Sequence, residues 1–225
     1  MAVLCRDKKL LFILNPRTGS SALGDHLIKE FGGEWIPSEI FYHNKLKKKI
    51  YPKHNTLDEL VEANLLEDCK IEDLHIFTST SNPYDSLLTL YNKYRYRYDE
   101  WRKEGRPFLQ NSQAEKEINF CKNHSVNQWI FKRYSKAAIK ALLGIGEYSV
   151  NQQYLKGCRF VLKKESLQKD FSMMLDDLEI EGNRKIPISN RTEKKGDWSA
   201  ELSYFSRILI YITYRKDFKR FNYPF

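Results

Sequence analysis

Leu10-Leu-Phe-Ile-Leu-Asn-Pro-Arg-Thr-Gly-Ser-Ser21 is the stretch whose reading decides the fold. Its first five residues are all apolar and end at Asn15-Pro16, which fits a strand buried on both faces, as in parallel sheets. From Ser20 to Phe31, Ala22, Leu23, Leu27, Ile28 and Phe31 recur at helical spacing until Gly32-Gly33 stops the pattern. The order is therefore strand, tight turn, helix. The turn has the composition of an anion cradle. Amides at a helix start point outward unpaired, and the helix dipole adds partial positive charge there. Gly19 lets the backbone approach an anion closely, Thr18, Ser20 and Ser21 bring hydroxyls, and Arg17 brings a fixed charge. The pattern is not the triphosphate loop GxxxxGK followed by Ser or Thr, since it has one glycine and no such lysine. The same residues also suit a Ser/Thr-rich helix cap behind a proline turn, with Arg17 solvated.

Outward from this turn, helices and strands alternate. Thr56 with Glu59 forms a capping-box pattern at the head of a helix to Leu66. His75 to Thr78 reads as a short strand, and Asn82-Pro83 opens a helix carrying Leu87, Leu88, Tyr91 and Tyr94. Tyr96 to Gln113 is charged and aromatic, an expected surface excursion. Ala114 to Leu143 is mostly helical by period, and Arg159 to Leu162 is a further strand before a helix from Ser166 to Leu178. A polar loop from Glu181 to Gly196 precedes a long final helix. The expected fold is one α/β domain over residues 1–225: three layers, with a short parallel sheet of four or five strands between helices.

With 38 basic against 29 acidic residues the chain carries +9, which favours an anionic partner. Charge alone leaves a nucleotide, an acidic glycan, nucleic acid and a membrane surface all open. The cysteines Cys5, Cys69, Cys121 and Cys158 are scattered without CxxC spacing, so reduced thiols are expected rather than a metal site or disulfide framework. No apolar run is long enough for a signal-peptide core or a membrane span, and a soluble, cytoplasmic protein is expected.

Asn15 to Ser21 resembles the 5′-phosphosulfate loop of sulfotransferases that use PAPS (3′-phosphoadenosine-5′-phosphosulfate), written P-[KR]-[TS]-G-[TS]-[TS]. Further segments follow in order. Lys53-His54-Asn55-Thr56 is similar to the Lys-His-Ser/Ala-Thr segment of the glycan-type members. Ser81-Asn-Pro-Tyr-Asp-Ser-Leu-Leu-Thr-Leu-Tyr91 is similar to the 3′-phosphate motif Arg-Asn-Pro-Tyr-Asp-Arg-Leu-Val-Ser-x-Tyr. Phe160 to Leu167 resembles the later strand ending in Glu-x-Leu, and Asn190-Arg-Thr192 and Tyr214 to Tyr223 resemble the closing pattern.

The resemblance implies a P-loop-kinase-like fold and transfer of a sulfonate from PAPS to a hydroxyl or amine, leaving PAP (3′-phosphoadenosine-5′-phosphate), without a metal. It implies that Arg17 neutralises charge at the transferring group, and that Thr18, Gly19, Ser20 and Ser21 hold the 5′-phosphate. Thr89 keeps the hydroxyl of the 3′-phosphate motif, but Ser81 and Ser86 stand where the motif has arginines. Lys194, Lys195 and Gly196, similar to a basic loop of cytosolic members, are the candidate substitute. The histidine of the Lys-His segment makes His54 the candidate general base, a role suited to a group titrating near neutrality. Glu39 is the alternative base. Arg95, Arg97 and Trp101, in a run interleaving aromatics with cations, are candidates for an acceptor groove. The acceptor expected is a glycan or small molecule, with acidic ones included, and no nucleic acid is expected. Two other classes stay open: a catalytically silent binding protein that kept the fold, favoured by Ser81, and a nucleotide kinase, disfavoured by the missing lysine and Mg²⁺-positioning motif.

Overall fold

The twelve residues from Ala2 to Ile13 are all strand or tight turn, and the side chains of the strands sort by parity. Val3, Cys5, Leu10, Phe12 and Leu14 enter one apolar cluster, while Ala2, Leu4, Leu11 and Ile13 enter another. A strand sends successive side chains to opposite faces, so these residues belong to a sheet covered on both sides. The computed structural model describes residues 2–51, 54–145, 149, 152–187 and 197–225.

Along the chain the strands and helices are β1 (Ala2–Cys5), β2 (Leu10–Ile13), α1 (Ser20–Phe31), β3 (Glu34–Ile36), β4 (Phe41–His43), β5 (Lys48–Ile50), α2 (Leu57–Glu62) and β6 (His75–Thr80). Then come α3 (Pro83–Tyr96), α4 (Tyr98–Lys103), α5 (Ser112–Asn123) and α6 (Val126–Leu142). The remainder holds β7 (Phe160–Lys163), α7 (Leu167–Asp177), α8 (Trp198–Glu201), α9 (Tyr204–Thr213) and α10 (Arg215–Phe221). They group into two compact units, Met1–Ser81 with Asn151–Arg191, and Asn82–Val150 with Thr192–Phe225.

The first unit holds a five-stranded sheet in the order β3-β1-β2-β6-β7. Helices α1 and α7 pack on one face through Leu23, Leu27, Phe31, Phe171 and Leu175, and Leu60 of α2 with Leu66 and Tyr154 covers the other. This is the three-layer α/β arrangement expected. The sheet is mixed rather than parallel, however. β2, β6 and β7 run parallel, but β1 is antiparallel to both β2 and β3. The reason is the three-residue turn Arg6–Lys8, closed by Lys9 at φ 51°. Such a turn can join only antiparallel neighbours, because a parallel pair needs a crossover of a dozen or more residues. A separate hairpin, β4 with β5, leaves no signal in the sequence because Phe41–His43 and Lys48–Ile50 are only three residues each, too short to show an alternation.

The capping box at α2 forms as expected. Thr56 Oγ1 accepts from Glu59 N–H at 3.3 Å, and Glu59 Oε2 accepts from Thr56 N–H at 2.9 Å. The other Glu59 oxygen pairs with Lys48, which ties the β4–β5 hairpin to the same helix start. Thr56→Ala is expected to destabilise the protein by about 1 kcal/mol, read from denaturant midpoints at unchanged slope.

The second unit is helical. Trp129, fully buried, sits at its centre with Tyr84, Leu88, Tyr91, Ile130, Ile210 and Phe218, and Trp129 Nε1–H donates to Glu117 Oε2 at 2.7 Å. The Ala114–Leu143 stretch is two helices, because Ser125 and Gln128 build a capping box that restarts the chain as α6. The excursion after Tyr96 contains α4, and the final segment is broken into α8, α9 and α10. Asn82 and Pro83 open α3 as read, with Asn82 Oδ1 accepting from Tyr84 N–H at 2.9 Å. All four cysteines are free thiols. Burial pushes Cys5 and Cys121 up to about 12, which keeps both uncharged and unreactive near neutrality. No described helix is long and apolar enough to cross a membrane.

Candidate functional site

In the first unit the carboxyl ends of the parallel strands β2, β6 and β7 lie along one edge of the sheet, the usual place for ligands in open α/β folds. They deliver Asn15 to Ser21, Ser79 to Ser81, and Lys163 with Lys164. Asn15 organises this edge. It is 1% exposed, and its Nδ2–H donates to Ser79 O at 2.8 Å, joining the turn to β6. The Asn15 carbonyl accepts from Thr18 Oγ1 at 2.8 Å and from Ser20 Oγ at 2.7 Å. Since Thr18 gives its one hydroxyl proton to Asn15, the contact at 2.6 Å between Thr18 Oγ1 and Ser79 Oγ must be donated by Ser79.

These bonds change the roles expected within the turn. The hydroxyls of Thr18 and Ser20 are buried and hold the turn's shape, so they are not the groups that would meet an anion. What the turn presents is backbone and charge. Gly19 is exposed, has φ 78°, and caps α1 without a side-chain bond; the helix's first backbone bond is from Leu23 N–H to Gly19 O at 3.4 Å. The amides ahead of Leu23 belong to the unpaired set that every helix start carries. Ser21 is exposed on the first turn.

Arg17 is held at φ 68°, a left-handed conformation costing a residue with a Cβ roughly 1–2 kcal/mol. Its Nε is buried and has no hydrogen-bond partner among the described residues, as is true of Asn15 Oδ1. A strained backbone that carries a desolvated, unsatisfied guanidinium nitrogen is costly, and such features gather at functional sites.

His54 shares that strain, with φ 66°. Its Nδ1 lies 3.2 Å from Leu14 O, at the entrance to the turn. A carbonyl only accepts, so Nδ1 carries the proton and Nε2 is the basic nitrogen of the neutral ring. Tyr154 steadies the residue from the other side: its hydroxyl donates to His54 O at 3.1 Å, and the two rings meet edge to face at 6.5 Å. Burial pushes the Tyr154 hydroxyl up, opposed first by a hydrogen bond with Gln153 and more weakly by the charge of Arg17. Arg17, His54 and Tyr154 thus stand around one turn. Tyr154 was not singled out in the sequence, where it lies in a polar stretch without a motif. Lys164 also stands at this turn without a motif role of its own; its stem runs beside Gly19, within 3.9 Å of where a Cβ would be.

Comparison of the chain with protein-family models, with curated proteins and with solved structures finds no match.

The remaining candidates separate. Glu39 is exposed between β3 and β4, and no described bond ties it to the turn. Ser81, 4% exposed, ends the β6 edge. Lys194, Lys195 and Gly196 lie outside the described residues, as do Lys53 and Asn190 to Thr192. His26 is structural: it is buried, its Nε2 lies 2.7 Å from Asn183 O, and its ring meets Phe31 and Phe171 edge-on.

Within the second unit, Thr89 and Ser86 are buried on α3. Arg95 Nη1 is within bonding distance of Tyr91 Oη at 2.7 Å, His124 O at 3.0 Å and Cys121 O at 3.2 Å. It braces α3 against the end of α5 instead of opening toward an acceptor. Trp101 has Arg106 stacked 3.9 Å over its ring, so that face is covered. Arg97 is the exposed member of the proposed groove set.

Proposed function

We propose that this chain transfers a sulfonate group from PAPS to a hydroxyl or amine of a glycan or small-molecule acceptor. The observation that carries the reading is Arg17: a strained, partly buried cation with an unsatisfied Nε, beside a glycine turn at a helix start and at the carboxyl end of a parallel strand. The resemblance of the Asn15–Ser21, Lys53–Thr56, Ser81–Tyr91 and Phe160–Leu167 segments to PAPS-dependent sulfotransferases, in that order, supports the donor and the chemistry. A P-loop-kinase-like fold belongs to the same proposal.

In the reaction the acceptor oxygen attacks sulfur as the bond from sulfur to the 5′-phosphate oxygen breaks, and PAP leaves. Negative charge grows on the bridging oxygen, where the Arg17 guanidinium and the amides of residues 19 to 21 oppose it. Nε2 of His54 takes the acceptor's proton. Lys164 adds a second positive charge to the same edge.

Ser81 favours one second reading, a binding protein that retains the turn without turnover. The 3′-phosphate is a dianion, and Ser81 and Thr89 offer hydrogen bonds but no charge. Losing one charged hydrogen bond costs roughly 1.5–3 kcal/mol, about 10- to 100-fold in affinity. Lys195 is proposed to restore it. Calorimetry with PAP and with AMP, which lacks the 3′-phosphate, separates the readings. PAP is expected to bind at least about tenfold more tightly, and Lys195→Ala to remove that difference while AMP affinity stays the same. Equal affinities in the unaltered protein put the silent binder ahead, and stabilisation by ATP with Mg²⁺ but not by PAP points to a kinase instead.

A further inference from the structure

Helix α6 in the second unit reads V-N-Q-W-I-F-K-R-Y-S-K-A-A-I-K-A-L: four cations and no acidic residue. Its buried side is accounted for by Val126, Trp129, Ile130, Tyr134, Ala138 and Ala141. The opposite side is not an ordinary solvated face. Phe131, Ile139 and Leu142 are each more than half exposed, as are Leu143 and Ile145 just beyond the helix. At about 100° per residue, Phe131, Ile139 and Leu142 fall on one stripe, and Lys132, Lys136 and Lys140 form a ridge beside it. Lys136 and Lys140 are exposed and make no ion pair among the described residues. The apolar stripe continues onto α9, where exposed Phe205 meets Phe131 at a ring distance of 6.0 Å next to exposed Tyr204.

The end of the helix is an apolar tip held in shape. Gly144 takes φ 72°, and Ile145 N–H donates to Lys140 O at 2.8 Å, the long bond of a Schellman closure. Leu142, Leu143 and Ile145 are thereby fixed outward before any partner arrives, which lowers the ordering cost of burying them. Aliphatic tips beside a lysine ridge match the chemistry of an anionic bilayer surface: tails accept the leucines, and headgroups accept the ammonium groups. Two other partners fit less well. An isologous contact with a second copy would face lysine ridge against lysine ridge with no carboxylate on α6 to relieve it. Single-stranded nucleic acid is gripped by exposed aromatics and cations and has no use for the four exposed aliphatics Ile139, Leu142, Leu143 and Ile145.

We infer that α6 and its tip form a peripheral docking surface for anionic lipid bilayers, independent of the anion-binding turn of the first unit. Flotation of the full chain with phosphatidylcholine vesicles, with and without phosphatidylserine, tests it. The protein is expected to float with the phosphatidylserine vesicles only, and added salt should release it. Lys136→Gln with Lys140→Gln should weaken partitioning roughly 30-fold, and Leu142→Ser with Leu143→Ser at least about tenfold. All four sites are exposed, so unfolding midpoints close to the unaltered protein's serve as the control. Absence of flotation, equal flotation with both vesicle types, or indifference to either pair of substitutions overturns the inference. So does a dimer in sedimentation that Leu142→Ser with Leu143→Ser abolishes, or displacement from RNA governed by the lysines alone.

Discussion

Arg17→Ala is expected to slow sulfonate transfer by about 10²–10³-fold while weakening PAP binding far less. The unequal loss follows from where the charge appears. On the proposed reading, bound PAPS would already have its phosphate on the amides of the turn, which the substitution leaves intact. Charge on the bridging oxygen develops only as the sulfonate departs, and a guanidinium whose Nε is already desolvated opposes it at no further reorganisation cost. Arg17→Lys should recover little, because a single ammonium does not reproduce a planar fork of donors. Arg17→Gly supplies a control for folding. At φ 68° glycine relieves backbone strain, so that variant should keep its thermal midpoint while losing transfer. Single-turnover rates beside calorimetric PAP affinities decide the matter: equal loss in both, or none in either, removes Arg17 from the role.

His54→Ala is expected to reduce the transfer rate by about 10²-fold or more with PAP affinity nearly unchanged. The Nδ1–H bond to Leu14 O fixes which nitrogen is basic, and the contact with Tyr154 limits how the ring turns. In the proposed role, a base held in one tautomer beside the turn would act only on the acceptor's proton, so donor binding should not register its loss. Tyr154→Phe removes the bond to His54 O and should cost a smaller factor, felt in turnover more than in PAP affinity. Glu39→Gln should behave as the unaltered protein, given its exposed place between β3 and β4. If His54→Ala retains full turnover and Glu39→Gln does not, the base is Glu39.

Much of this protein is legible in its sequence alone. The apolar run Leu10–Leu14, the Thr56–Glu59 capping box and the Asn82-Pro83 helix start are local features, dictated by residues within a few positions of one another. Each formed where its residues indicated. The turn Asn15–Ser21 was legible for the same reason: a strand end, a glycine and a helix start are consecutive in the chain. Strand direction was not, because whether β1 pairs parallel or antiparallel depends on a partner and on the reach of the connecting turn. The uses of the polar side chains were not legible either. Thr18 and Ser20 have the same donors whether they face an anion or Asn15 O, and only the fold, by setting Ser79 of β6 beside them, assigned their protons to the turn. Arg95 likewise carries the charge of a binding residue, but the close approach of α5 turned it into a brace. Tyr154 lies 100 residues from His54, and no spacing rule reaches that far. Local hydrogen bonding and side-chain period were written in the sequence; which polar group faces which was decided by elements distant in the chain, through burial that leaves no donor or acceptor cheaply unpaired.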